Sequence, residues 1–201
     1  MKADDTSTPS IDRIAELQQL IANFGSVQRY IQFADKGHLE TDVEHSYGLA
    51  ITAWYLALQL APQLDIGKIL KYALAHDLVE LHAGDTYIFD HENVKTKSDR
   101  EDAALEQLKK DLPDFLEVVS YASNYKDKID AEARFVYAVD KILPPLMVVL
   151  SGDTKFWKRN KITQKMHADE KNKKMSVSPE VAPYAKALNE WLAAKESFYE
   201  E

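Results

Sequence analysis

Residues 65–85 read DIGKILKYALAHDLVELHAGD. Asp65 is suited to open a helix in which Ile69, Leu70, Ala73 and Leu74 recur at helical spacing, and this apolar stripe runs into the pair His76-Asp77. Near the last turn of a helix, two neighbouring side chains can both lean towards a point beyond it. Glu80 lies three residues past Asp77 and four past His76, so a continuing helix would turn it to the same side. Ala83-Gly84-Asp85 then breaks the pattern.

The same helical period extends in both directions. Upstream, Ser10 or Asp12 precedes the stripe Ile14, Leu17, Leu20, Ile21 and Phe24, which Gly25 ends. A short segment around Val27, Tyr30, Ile31 and Phe33 leads into a polar loop through residues 35–38. Asp42 is expected to cap a helix reaching about Ala61, striped by Leu49, Ala53, Leu56, Ala57 and Leu60 and stopped by Pro62. Downstream, residues 85–97 read as an irregular loop of the kind that covers a site. Helices are expected to open at Ser98 and Pro113, and an apolar one over 131–150 to be interrupted at Pro144-Pro145. A basic stretch over Lys158–Lys174 follows, then a last helix from Pro179 bearing Val181, Tyr184, Leu188, Trp191 and Leu192. No strand alternation is visible. With 6 glycines and 7 prolines in 201 residues there are few tight turns to build a sandwich or barrel. The expectation is an all-α, single-domain fold over residues 10–201 behind a disordered lead-in of residues 1–9.

Composition narrows the function. A net charge of −8 repels the phosphates of nucleic acid and anionic membrane surfaces, so neither is expected as a partner. The mixed basic and aromatic stretch Lys155–Lys161 is accordingly read as a solvated helix face or a subunit contact. The chain has no cysteine, which excludes disulfides and thiolate metal ligands. Residues 1–9 lack the apolar centre of a secretory leader and no stretch approaches the ~18 apolar residues of a membrane span, so a cytoplasmic protein is expected.

Four segments carry chemistry: Glu44-His45, His76-Asp77, Glu80 to Asp85, and Asp140-Lys141. Two imidazoles and two carboxylates suit a borderline divalent ion, with water in its open positions. A lone histidine on an apolar face is ordinarily a core residue, and an HD dipeptide alone means little. Asp140 ends the apolar run Phe135–Val139, where a carboxylate is costly unless a metal or a cation such as Lys141 or Arg134 pairs it. The ordered combination is what distinguishes the chain.

That combination resembles the HD superfamily of metal-dependent phosphohydrolases. Glu44-His45-Ser46 is similar to its EHS segment, residues 76–85 to the HDxxE…GD block of the YfbR-type 5′-deoxyribonucleotidases, and Val139-Asp140-Lys141 to their DK segment. Arg29-Tyr30 stands where those enzymes carry Arg-Trp. The resemblance implies a helical HD-domain fold and one divalent transition-metal ion (Mn, Co, Ni, Fe or Zn) on His45, His76, Asp77 and Asp140. It further implies Glu80 as the group activating water and Asp85 as the acid for the leaving alkoxide. Arg29 and Lys141 would hold the phosphate, with Tyr30 near the sugar in place of Trp. Each has an ordinary alternative: a helix-surface acid for Glu80, a cap or turn for Asp85, a solvated residue for Arg29, and a counter-charge to the carboxylates for Lys141. His38, His82 and His91 are extra histidines, the last two expected to be exposed or at the mouth of the site.

The substrate implied is a small phosphorylated compound, a nucleotide, and the activity that of a 5′-nucleotidase, in a chain that could form a homodimer. A pyrophosphohydrolase or phosphodiesterase acting on an alarmone or cyclic nucleotide is the alternative. Leu81 stands where alarmone hydrolases carry a further acid, which favours the monoester. A non-catalytic, metal-stabilised nucleotide-binding module is the third reading, and the intact Glu80 and Asp85 weigh against it.

Overall fold

A computed structural model describes residues 8–34, 37–85 and 91–195, the side chains of 91–94 excepted. The expected lead-in of residues 1–9 and the loop at 35–38 therefore lie partly outside the described residues. Helix α1 (Ile11–Phe24) starts at Ser10, whose hydroxyl accepts from the Arg13 N–H at 3.1 Å, and ends at Gly25. Strands β1 (Gln28–Gln32) and β2 (Leu39–Thr41) then pair antiparallel. This hairpin was not expected. Its strands bury only Ile31 and Glu40, too little alternation to register in the sequence.

Helix α2 (Asp42–Leu60) is capped by Thr41, one residue before the expected Asp42. The Thr41 hydroxyl accepts from the Glu44 N–H at 3.3 Å, and the Glu44 carboxylate accepts from the Thr41 N–H at 3.0 Å. Asp42, displaced into the first turn, is fully buried. Helix α3 (Ile66–Ala75) is capped by Asp65 as expected, but it buries Tyr72 and leaves Leu74 exposed. After the short α4 (Glu80–Ala83) comes α5 (His91–Asp111), which begins well before Ser98, inside the stretch expected to be irregular; residues 86–90 lie outside the described residues. Helix α6 (Leu116–Asp127) begins after Pro113 and ends on Lys128. The apolar run splits into α7 (Ala131–Asp140) and α8 (Leu143–Leu150). The break falls at Lys141-Ile142, before the prolines, which sit in the first turn of α8, where a missing N–H does no harm. Helices α9 (Phe156–Arg159), α10 (Gln164–Met175) and α11 (Ala182–Ala193) complete the chain, the last opening after Pro179.

The main core joins α2, α3 and α7 through Leu49, Ala53, Ile69, Ala73, Phe135, Val136 and Val139, all completely buried. Each large apolar side chain buried there contributes about 1.5–3 kcal/mol. Phe156 and Trp157 are buried in the same core while Lys155, Lys158, Arg159 and Lys161 stay exposed, so within 155–161 the basic residues are solvated as expected and the aromatic pair is not. On α11, Leu188 and Leu192 face the core while Tyr184 and Trp191 stay partly exposed. A second cluster, including Phe24, Leu108, Leu112 and Val119, ties α1, α5 and α6 together. Among the described residues no helix is long and apolar enough to cross a membrane.

Candidate metal centre

The three helices of the main core each deliver one polar group to the same place. His45 lies in the first turns of α2, His76 immediately follows α3, and Asp140 is the last residue of α7. Ligand atoms of His45, His76 and Asp140 all lie within 4.8 Å of one another, and the same holds for the adjoining set Asp42, Asp77 and Glu80. His45 Nε2 is 2.9 Å from Asp140 Oδ1, and Asp77 Oδ2 is 2.9 Å from His76 Nε2. Glu80 does not arrive on a continuing α-helix. The N–H groups of Leu78, Glu80, Leu81 and His82 bond to carbonyls three residues back, a tight turning segment that still brings Glu80 beside Asp77.

The donor chemistry fits a divalent cation. His76 Nδ1 is 2.9 Å from the Ala73 carbonyl, which can only accept, so Nδ1 carries the hydrogen and Nε2 presents a lone pair. That lone pair faces Asp77 Oδ2 without forming a hydrogen bond. Two lone pairs so close repel; the Arg29 guanidinium, 2.7 Å from Asp77 Oδ2, offsets part of this, and a divalent ion or an added proton at His76 Nε2 would complete the balance. His45 Nδ1 and Glu80 Oε2 are likewise buried without a hydrogen bond. The second oxygen of Asp140 accepts from the Tyr125 hydroxyl at 2.9 Å and contacts the Lys141 ammonium. Two imidazoles with carboxylates suit Mn, Fe, Co, Ni or Zn better than Mg or Ca.

Electrostatics separates the carboxylates into two groups. Burial works against ionising Asp140, but the Lys141 charge and the His45 hydrogen bond hold it well below the usual carboxylate range. Burial likewise opposes ionising Asp77, and neighbouring positive charge, from Arg29 and from His76 whenever it is protonated, overcomes it. Burial and the Arg29 charge oppose protonation of His45, yet the hydrogen bond to Asp140 and the nearby Glu40 carboxylate lift it to about 9. Glu80 moves the other way: burial and the negative charges of Asp77, Asp85 and Asp42 raise it well above an ordinary glutamate. Burial also raises Asp85, against the pull of Arg29. Carboxylates in contrasting environments can divide ligand work from proton work.

A cleft of about 400 Å³ opens over the cluster, lined by Arg29, Tyr30, Glu80, Asp85 and Lys141 together with His76, Asp77 and Asp140. Every site residue expected from the sequence thus borders it, except His45, which is fully buried beside Asp140. Arg29 is not a solvated surface residue. Its Nη1 donates to Asp77 at 2.7 Å and Asp42 at 3.1 Å, and its Nε is 3.5 Å from Glu40. Tyr30 is half-exposed. His82 pairs with Asp111 and His38 with Glu44, neither on the cleft wall; the His91 side chain lies outside the described residues. Sequence reasoning missed Glu40, Asp42, Tyr125 and Lys97, whose Nζ is 3.8 Å from Glu80. An acid in a helix's first turn is too common to have singled out Asp42, and nothing local marks Tyr125.

A family model for the HD domain matches residues 23–182. The chain belongs to the HD domain family. Within this family, the HD-domain chain is similar to a solved structure described as a predicted metal-dependent phosphohydrolase from Magnetospirillum magnetotacticum MS-1. The TM-score is 0.77 at 27% identity, covering 94% of this chain and 99% of that one. A conserved hypothetical protein from Pyrococcus furiosus shares the fold, with TM-score 0.61 and 22% identity over 92% of this chain and 99% of that one. The 5′-deoxynucleotidase HDDC2 of Xenopus laevis is 33% identical over 104 residues, 51% of this chain and 50% of the relative. The human protein of that name is 29% identical over the same length, again 51% of this chain and 50% of its own. The match therefore spans about half the length of these curated relatives.

Proposed function

We propose that this HD-domain protein is a metal-dependent phosphomonoesterase, a 5′-nucleotidase that releases phosphate from nucleoside or deoxynucleoside monophosphates, with residues 10–201 acting as one domain. The observation that carries the reading is His76 Nε2, buried without a hydrogen bond 2.9 Å from Asp77 Oδ2, in a cleft that also holds Glu80 and several cations. His45, His76, Asp77 and Asp140 would hold one divalent ion. When bound, such an ion acidifies water and withdraws charge from phosphoryl oxygens.

The chain's own residues divide the remaining work. Glu80, raised by burial and its acidic neighbours, accepts a proton from the attacking water. The water oxygen bonds to phosphorus as the bond to the nucleoside oxygen breaks, and Asp85, also raised, supplies the proton to that departing oxygen. Both Asp contacts of Arg29 use Nη1, which leaves Nη2 to approach a phosphate oxygen, and Lys141 adds a second cation. Tyr30, on the cleft wall, would pack near the sugar. The names of the similar proteins support this reaction class. A homodimer is part of the same reading, supported by an exposed apolar stripe of Tyr47, Ile51, Trp54, Tyr55 and Leu58 along α2, and so is a cytoplasmic location.

The test is phosphate release from a panel of ribo- and deoxyribonucleoside monophosphates after chelation and re-addition of Mn, Co, Ni, Zn or Mg. Metal-dependent release is expected. No release from any monophosphate with any metal overturns the proposal.

A further inference from the structure

The cations lining the cleft do not all serve its carboxylates. Arg29 is neutralised by Asp42 and Asp77. Lys97 lies 3.4 Å from Glu101, Lys126 2.6 Å from Asp102, and Lys174 2.9 Å from Glu170, while Lys141 contacts Asp140. Two lysines remain. Lys128, at the end of α6, and Lys171, on α10, have no carboxylate within ion-pair distance among the described residues, yet both line the cleft. Among the described residues Lys128 Nζ donates only to the Lys126 carbonyl, at 2.8 Å, and it lies 4.6 Å from the centre of the Tyr137 ring. Lys141 Nζ lies 4.6 Å from the same ring, so this wall gathers ammonium groups around one aromatic.

Lys171 is the sharper anomaly, because only 9% of it is exposed. A lysine near the end of a helix often just complements the helix dipole. In α10 that place belongs to Lys173 and Lys174, in the last turn, and Lys171 makes no hydrogen bond to a carbonyl among the described residues. Burying an ammonium without a counter-ion is unfavourable, and gathering several together adds repulsion. Burial first, then the Lys141 charge, depresses Lys171 to about 7, and the same two causes depress Lys128. An anion placed here would remove both penalties. A single phosphate at the metal ligands already has Arg29 and Lys141 beside it, so Lys171 and Lys128 add more positive charge than one phosphate needs.

We propose that Lys171 and Lys128 form a subsite for a second phosphate, so that the preferred substrate is a nucleotide bearing two phosphate groups. This rests on the phosphomonoesterase reading for the bond that is cleaved, but the subsite itself can be tested by binding. The probes are adenosine 5′-monophosphate, adenosine 5′-diphosphate and adenosine 3′,5′-bisphosphate. Their dissociation constants are measured by calorimetry with the Mn-loaded E80Q protein and with chelated wild type, and each background is compared with the same protein carrying K171Q or K128Q.

At least one doubly phosphorylated probe is expected to bind about tenfold more tightly than the monophosphate, the value of one charge-assisted hydrogen bond. K171Q should remove most of that ratio, and the less buried K128Q part of it, with thermal unfolding confirming that each variant folds. Preference for the bisphosphate puts the second phosphate across the nucleoside; preference for the diphosphate puts it adjacent to the first. Equal binding of all three probes, or a preference that neither substitution lowers, overturns the proposal. Phosphate release by the wild type separates the two readings. No release with the lysine-dependent preference intact refutes the esterase and keeps the subsite, whereas release from monophosphates without any preference does the reverse.

Discussion

Two cavities of nearly equal volume, about 400 and 420 Å³, share the end of α3 and one side of α6 as walls. The first takes His76 and Asp77 from the α3 end, Glu80 from α4 and Tyr125 from α6. The second takes Leu74, Ala75 and Leu78, with Val118 and Tyr121 from α6, and closes on Leu17 and Phe24 of α1. Consecutive residues therefore serve opposite chemistry because the backbone turns between them. Size does not distinguish the two spaces. What does is the convergence of buried polar atoms without partners in one and their scarcity in the other.

The comparison can be broken or sharpened by substitution. The largest effect is expected from Asp77→Ala, which should lose both bound metal, read by elemental analysis, and turnover. Retained activity in a metal-free D77A protein would remove the polar cleft's claim to be the reactive one. Glu80→Gln should keep the metal and lower kcat by about 10²–10⁴-fold, the usual range for a proton-transfer group. Loss of metal together with activity in E80Q would instead make Glu80 a ligand. Tyr125→Phe removes the hydroxyl that donates to Asp140 and should weaken metal binding by about 10–100-fold, measured by competition with a chelator.

His167 tests the scaffold beneath the lysine wall. Burial, then the Lys171 charge, holds it down to about 3 from an ordinary 6.5, so the folded protein keeps it neutral. Below the unfolded value the unfolded chain takes up a proton that the folded one refuses. Stability should therefore fall as pH drops from about 6.5 towards 3, with this group contributing at most about 1.4 kcal/mol per pH unit. Urea midpoints between pH 7 and 4 should decline less steeply in H167Q than in wild type; parallel declines would contradict the assignment. The smallest effect is expected in the apolar groove. Leu74→Lys, at a half-exposed position, should leave kcat/KM within about twofold, as surface changes away from a site generally do.

Much of this molecule was legible before any coordinates. Helical period, the Asp65 cap and the sparse glycines and prolines pointed to helices, and His45, His76, Asp77 and Asp140 stood out by their ordered combination and its resemblance to the HD superfamily, each being weak when taken singly. Boundaries were less legible where two good cap residues adjoin, as at Thr41-Asp42, or where a charged segment such as 91–97 lacks an apolar stripe. The aromatic pair Phe156-Trp157 was misread because its basic neighbours dominate the local composition, whereas burial depends on what packs above it.

The sequence by itself determined which residue types could bind a metal and roughly which helices carry them, since both follow from side-chain chemistry and a period of a few residues. Only the tertiary structure decided that Arg29 is locked between Asp42 and Asp77, that Tyr125 supports Asp140, and that Lys128 and Lys171 are left without carboxylate partners among the described residues in one cleft. Those facts depend on groups far apart in the chain that meet when α2, α3, α6, α7 and α10 pack, and burial and pairing at such distances leave no local pattern to read.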